Sequence, residues 1–151
     1  MPSSRAAAAK LCEAFYALNP PDGPPTRLRL RSEVLAGTWE VLTSGQADLS
    51  IGCAVEATLP SDIQSESLGE LQFVFAVAPH HPLATAAEPL SDADLLRHRA
   101  VAVADSAQRM APVTVNLLPG QDVLTVATMP AKIEAQLRGL GCGFLAEPMV
   151  R

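Results

Sequence analysis

Ser32 and Thr128 are the residues best placed to do chemistry in this chain, because each is a hydroxyl standing where an alternating apolar run gives way to a helical one. A strand-to-helix junction leaves backbone N–H groups pointing past the last strand residue, and a hydroxyl beside them completes a donor set suited to a carboxylate. Capping of its own helix is the plainer account of each. Glu33, beside Ser32, could orient an amine or a hydroxyl, or stand as a solvated loop carboxylate. Asp105 and Ser106 end the alternation Ala100-Val101-Ala102-Val103-Ala104 and could face the same ligand. Local turn bonding by Asp and Ser is the competing explanation.

The groups that usually carry catalysis or hold metals are poorly arranged. His80 and His81 precede Pro82 at a strand end, where adjacent side chains point apart; they are expected in a solvated turn, with His98 in a polar loop. Cys12, Cys53 and Cys142 are odd in number and widely spaced, which disfavours a disulfide framework and a zinc site. No histidine is placed by the sequence to activate Cys53. Gly139-Leu140-Gly141-Cys142-Gly143 follows a helix and precedes a strand, the reverse of a phosphate-binding loop, so it reads as helix termination. No catalytic residue, metal or cofactor is expected.

The elements that must position these residues follow from periodicity. Ala8, Leu11, Cys12, Phe15 and Leu18 predict a helix with one buried stripe, ended by Asn19-Pro20-Pro21. Residues 27–31 alternate as a strand with Leu28 and Leu30 on one face and Arg27, Arg29 and Arg31 on the other, a face that is solvated or touches an anion. A helix follows from about Val34, with Ser32 as its candidate cap, Leu35, Trp39 and Leu42 on one side, and Gly45 as its left-handed stop. Residues 49–51 are then a strand.

After Gly52 the texture changes, and residues 54–69 read as a passage between lobes. Residues 72–78 predict a strand covered on both faces, Ser91 and Asp94 a capping box, and residues 100–104 and 123–127 two further strands. Thr128 caps a helix with Pro130 in its first turn and a buried face of Met129, Ile133, Leu137 and Leu140. Residues 142–145 close the series as a strand. The alternation implies a parallel α/β sheet with crossover helices.

Composition bounds the function. A chain of 151 residues with net charge −5 fits one domain or two small lobes. Residues 1–52 carry five basic and five acidic side chains and residues 53–151 six and eleven, so neither half attracts polyanions and the chain alone is a poor nucleic-acid binder. No apolar run reaches the length of about 18 residues that a membrane span needs, and Met1-Pro2-Ser3-Ser4-Arg5 does not lead into a signal-peptide core. A cytoplasmic protein without membrane contact is expected.

Four ordered segments carry a resemblance. They are Gly45-Gln46-Ala47-Asp48-Leu49-Ser50-Ile51-Gly52 with the stretch leading into it from Leu28 to Leu42, residues 73–83, residues 89–95 with 100–106, and residues 123–151. In that order they resemble the effector-binding domain of LysR-type transcriptional regulators, over roughly residues 8–151. The resemblance implies a two-lobed periplasmic-binding-protein-like (type 2) α/β fold, with lobe one at residues 1–53 and lobe two at residues 54–151. It implies a small-molecule effector, such as an organic acid, in the cleft between lobes and a head-to-tail homodimer. DNA would be bound only through a helix-turn-helix domain that this chain lacks.

Gly52, Cys53 and Ala54 map to the hinge, where small residues let a ligand approach, although a plain strand-end turn also explains Gly52. The ligand-binding set is then Ser32, Glu33, Gly52, Cys53, Ala54, Asp105, Ser106 and Thr128. The family's first strand, which lies between the counterparts of residues 27–31 and 49–51, has no counterpart here, and neither do its last strand and helix. Lobe one is therefore expected to be incomplete. A stand-alone solute-binding protein on the same scaffold, which would need a secretion signal, and a transferase-like enzyme, which would need a clustered acid/base pair, are the other readings.

Overall fold

A computed structural model describes residues 4–23, 25–54 and 60–150. Part of the predicted interlobe passage, residues 55–59, lies outside the described residues. Contacts divide the chain into two compact units, one ending at Ser32 and the other beginning at Glu33.

The first unit is built around helix α1, Ser4–Leu18. Asn19 ends it by donating both its backbone N–H (3.1 Å) and its side-chain amide (2.7 Å) to the Phe15 carbonyl, and a tight turn follows with Gly23 N–H on the Pro20 carbonyl at 2.8 Å. Phe15 and Tyr16 meet edge to face at 5.3 Å between ring centres. The expected buried stripe is only partly covered, since Leu18 is 81% exposed and Leu11 46%. Residues 27–31 form no strand, and Leu28 and Leu30 lie exposed.

The second unit holds the remaining elements: α2 (Ala36–Thr43), β1 (Phe73–Ala76), α3 (Asp92–Leu96), β2 (Ala100–Val103), β3 (Val123–Val126), α4 (Met129–Leu137) and β4 (Gly143–Ala146). Its strands do not make one parallel sheet. β2 and β3 pair in parallel, with Ala100 opposite Val123 and Val103 opposite Val126, whereas β1 and β4 pair antiparallel, with Phe73 opposite Ala146. A single parallel bridge between Ala100 and Cys142 ties the two ribbons together. The predicted strand at residues 49–51 is absent, leaving Leu49 and Ile51 exposed. The physical reason is common to both missing strands: a strand is stabilised by ladder partners, and neither segment has one among the described residues.

The core gathers where β2, β4 and α4 meet, around Val101, Cys142, Ala135 and Leu145. α4 turns a different face inward from the one its apolar residues suggest. Lys132, Ala135 and Gln136 are buried, while Leu137 is 61% exposed and Leu140 47%. Gln136 explains the rotation, because its side-chain amide donates to the carbonyls of Ala76 (2.8 Å) and Gly143 (3.2 Å) and so pins α4 across both strands of the antiparallel ribbon. Gly143 lies close beneath this contact: a Cβ there would crowd the Val101 carbonyl oxygen at 3.1 Å and touch Gln136 Oε1 at 3.5 Å. β1 is less covered than a doubly buried strand, with Phe73 53% exposed. Phe75 and Phe144 pack across the ribbon at 5.5 Å.

Two predictions about polar residues need correction. Ser32 does not cap α2; the residue at that position is Leu35, which carries no side-chain donor or acceptor. His81 is not in a solvated turn but is 7% exposed, with Nδ1 accepting the Leu83 N–H at 3.1 Å and its ring 5.1 Å from that of His98. Burial, then the neighbouring His98 and His80, push its pKa below the ordinary value of 6.5.

Candidate functional site

The first turn of α2 meets the chain leaving β2, and side chains about seventy residues apart cap each other there. Asp105 Oδ2 accepts the N–H groups of Ala36 (3.0 Å) and Val113 (2.8 Å), and Oδ1 those of Gly37 (3.0 Å) and Ala107 (2.8 Å). Burial raises the pKa of this carboxyl, but the four N–H groups outweigh it and hold Asp105 below the usual 3.8. A helix that has no local cap thus receives one from a distant segment.

Ser106 completes the junction. Its Oγ accepts the Val34 N–H at 2.7 Å and donates to Glu33 Oε2 at 2.6 Å, while its own N–H reaches the Val34 carbonyl at 3.2 Å. Gly37 is required by this approach, since a Cβ there would overlap Ser106 Oγ and crowd the backbone of Ser106 and Ala107. In return α2 supplies Glu40, which is 7% exposed and accepts the N–H groups of Gln108 (2.6 Å) and Arg109 (2.8 Å). Each partner therefore satisfies backbone donors of the other.

The entry to α2 is strained. Leu35 has φ 51 and ψ −122, and Gly37 N–H closes the turn on the Val34 carbonyl at 3.1 Å. This is the first central position of a type II′ turn, where glycine is the usual occupant, and a leucine there costs about 1–3 kcal/mol. A strained backbone persists only where its surroundings hold it. Here the Asp105 and Ser106 bonds do so.

Of the sequence-predicted residues the structure brings together Glu33, Asp105 and Ser106. Their polar atoms are already engaged with one another or with backbone groups. Ser32 lies exposed in the first unit. Thr128 is exposed and caps α4, its hydroxyl accepting the Ala131 N–H at 3.3 Å. Gly52 has φ 79 with open space where a side chain would be, Cys53 is half-buried and Ala54 exposed, with no hydrogen bond joining the three to the junction among the described residues. A surface concavity lined by Tyr16, Asn19, Pro20, Gly23, Pro25 and Thr26 contains none of the predicted site residues.

Sequence reasoning missed Gly37, Glu40 and the strain at Leu35. The sequence carries one weak signal for Glu40: it follows Trp39 on the same short helix, where a buried carboxylate needs donors from elsewhere. It also missed Lys132, a 9%-exposed ammonium whose pKa burial lowers, and the buried Gln136 Oε1, which has no hydrogen-bond partner among the described residues.

Comparison with known proteins gives the family. Residues 7–151 match the LysR substrate binding domain. The chain is 44% identical over 137 residues to an uncharacterised HTH-type transcriptional regulator, YeeY, of Escherichia coli K12, covering 91% of this chain and 43% of the relative. It is 42% identical over 125 residues to a probable HTH-type transcriptional regulator, YhaJ, of the same organism, covering 83% of this chain and 42% of the relative. A third relative, the HTH-type transcriptional activator AllS of Klebsiella pneumoniae, is 36% identical over 126 residues, with 83% of this chain and 47% of the relative covered. The chain spans less than half the length of each of these relatives. Its mixed α/β elements fit the periplasmic-binding-protein-like type 2 fold that the family implies, and the chain belongs to the LysR substrate-binding domain family.

Proposed function

We propose that this chain is the sensing half of a transcriptional regulator: it binds a small organic acid between two lobes, residues 1–53 and 54–151, and lobe one lacks part of its sheet. The effector shifts the population between lobe arrangements, and in the longer regulator that shift repositions DNA-binding heads outside these 151 residues. The domain works in the cytoplasm as a homodimer and performs no reaction on what it binds. Ser32 supplies its hydroxyl and Thr128 its hydroxyl and the backbone donors at the start of α4 to the carboxylate, with Gly52, Cys53 and Ala54 at the hinge and Glu33, Asp105 and Ser106 shaping the cleft wall.

The observation that carries this reading is the convergence of Glu33, Asp105 and Ser106 at the carboxyl end of β2 in a chain of this family. Ligands of open α/β sheets bind outside those strand ends. Relatives named as HTH-type transcriptional regulators favour this reading over the solute-binding alternative.

Thermal shift against a panel of small carboxylic acids tests the proposal. At least one acid should raise the melting temperature of the wild-type chain, and Ser32→Ala and Thr128→Ala should each reduce that shift. Equal shifts in both variants would remove those two residues from the site. No shift by any acid would remove the ligand class, and steady product formation would end the non-enzymatic reading.

A further inference from the structure

We propose that residues 105–113 are a strap that closes over the first turn of α2 and opens as one unit, separately from the core of β2, β3 and α4. The forces that hold it differ in kind from those of the core. Two carboxylates, Asp105 and Glu40, accept six backbone N–H bonds at the junction, from Ala36, Gly37, Ala107, Gln108, Arg109 and Val113, and two further bonds join Val34 and Ser106. Gln108 and the residues after it up to Val113 lie exposed, so the strap brings little apolar surface of its own to the closed state. By contrast Val101 and Cys142 in the core are 1% exposed. Segments held by polar contacts near water occupy the low-stability end of a protein's local openings.

Reciprocity makes the opening cooperative. Asp105 sits on the strap and holds α2, whereas Glu40 sits on α2 and holds the strap. Loss of the Asp105 bonds frees donors on both partners, and loss of the Glu40 bonds frees the two strap donors that tie it to α2. Val113 N–H on Asp105 also closes the strap on itself, so release at Asp105 loosens its far end together with its near end. Strain at Leu35 opposes closure, since the positive φ there is sustained by the bonds that the closed strap makes to residues 34, 36 and 37. The device is thus a polar latch working against a strained turn. It does not depend on the identity of any effector, and it stands whether or not the effector reading holds.

Amide hydrogen exchange on the 151-residue chain tests it. In the wild type the amides of Ala36, Gly37, Ala107, Gln108, Arg109 and Val113 should exchange at a common rate, at least about tenfold faster than those of β2 and β4. Glu40→Gln should accelerate the whole set, including the amides bound to Asp105, and Asp105→Asn should accelerate those bound to Glu40. Core amides should be unchanged in both. Leu35→Gly should slow the set severalfold by relieving the turn. Strap and core amides exchanging together in the wild type would overturn the proposal, even if no variant folds. So would acceleration confined to Gln108 and Arg109 in Glu40→Gln, or faster strap exchange in Leu35→Gly.

Discussion

The two longer helices of the second unit begin in opposite ways. α4 is capped by its own Thr128 and carries Pro130 in its first turn, so four consecutive residues set its start. α2 begins at a strained Leu35, and its first N–H groups are satisfied by Asp105, sixty-nine residues away from Ala36. A local cap costs little conformational entropy, because its parts are already neighbours in the unfolded chain. A remote cap needs the rest of the unit in place first. In return it couples the helix to whatever moves the distant segment.

The largest expected effect comes from closing the space on which the remote cap depends. Gly37→Val puts a branched side chain into Ser106 and Ala107, and should lower unfolding stability by about 3 kcal/mol in urea titration. A loss under about 0.5 kcal/mol would mean that the junction yields easily. Asp105→Ala removes the acceptor for four N–H groups and should cost about 2 kcal/mol. Thr128→Ala, the local counterpart, should cost about 1 kcal/mol. If the order of these two were reversed, the contrast between remote and local capping would fail.

Acid sharpens the comparison further. The folded-state pKa of Asp105 is depressed, so its contribution is present at neutral pH and is lost as pH falls below 3.8 towards the folded value. Asp105→Asn should flatten that limb of the stability curve. His81 has a depressed folded pKa as well, so its contribution is complete above 6.5 and declines as pH falls from there. The denaturation midpoint should therefore drop modestly between pH 7 and pH 5, with Asp105 still ionised, and His81→Asn should abolish the drop. A drop that persists in the variant would assign it to other groups.

What could be read from the chain in advance tracks the same distinction. β2, β3 and the start of α4 were legible because alternation and capping are written in adjacent residues, and the capping box of Ser91 with Asp94 is present in full. The strands at residues 27–31 and 49–51 were misread because alternation reports what a segment would bury if a partner were beside it, and cannot report the partner. The inward face of α4 was misread for a related reason: Gln136 turns inward to reach two strand carbonyls, and those carbonyls belong to segments up to sixty residues away. Glu33, Asp105 and Ser106 were singled out as candidate ligand contacts, and their engagement with one another and with backbone groups was not foreseeable. Only coordinates place Ser106 Oγ between Val34 and Glu33.

The parallel pairing of β2 with β3 and the bonds from Asp105 to α2 also set an order of assembly. β3 and α4 adjoin in sequence and β2 lies about twenty residues upstream, so this part can form early, whereas the junction must bring together ends 68 to 73 residues apart. Refolding after dilution from denaturant should recover the β2–β3 signal before Trp39 on α2 reaches its final environment. During that interval the backbone donors of residues 36 and 37 would face solvent, making the nascent chain most vulnerable to proteolysis at the entry to α2.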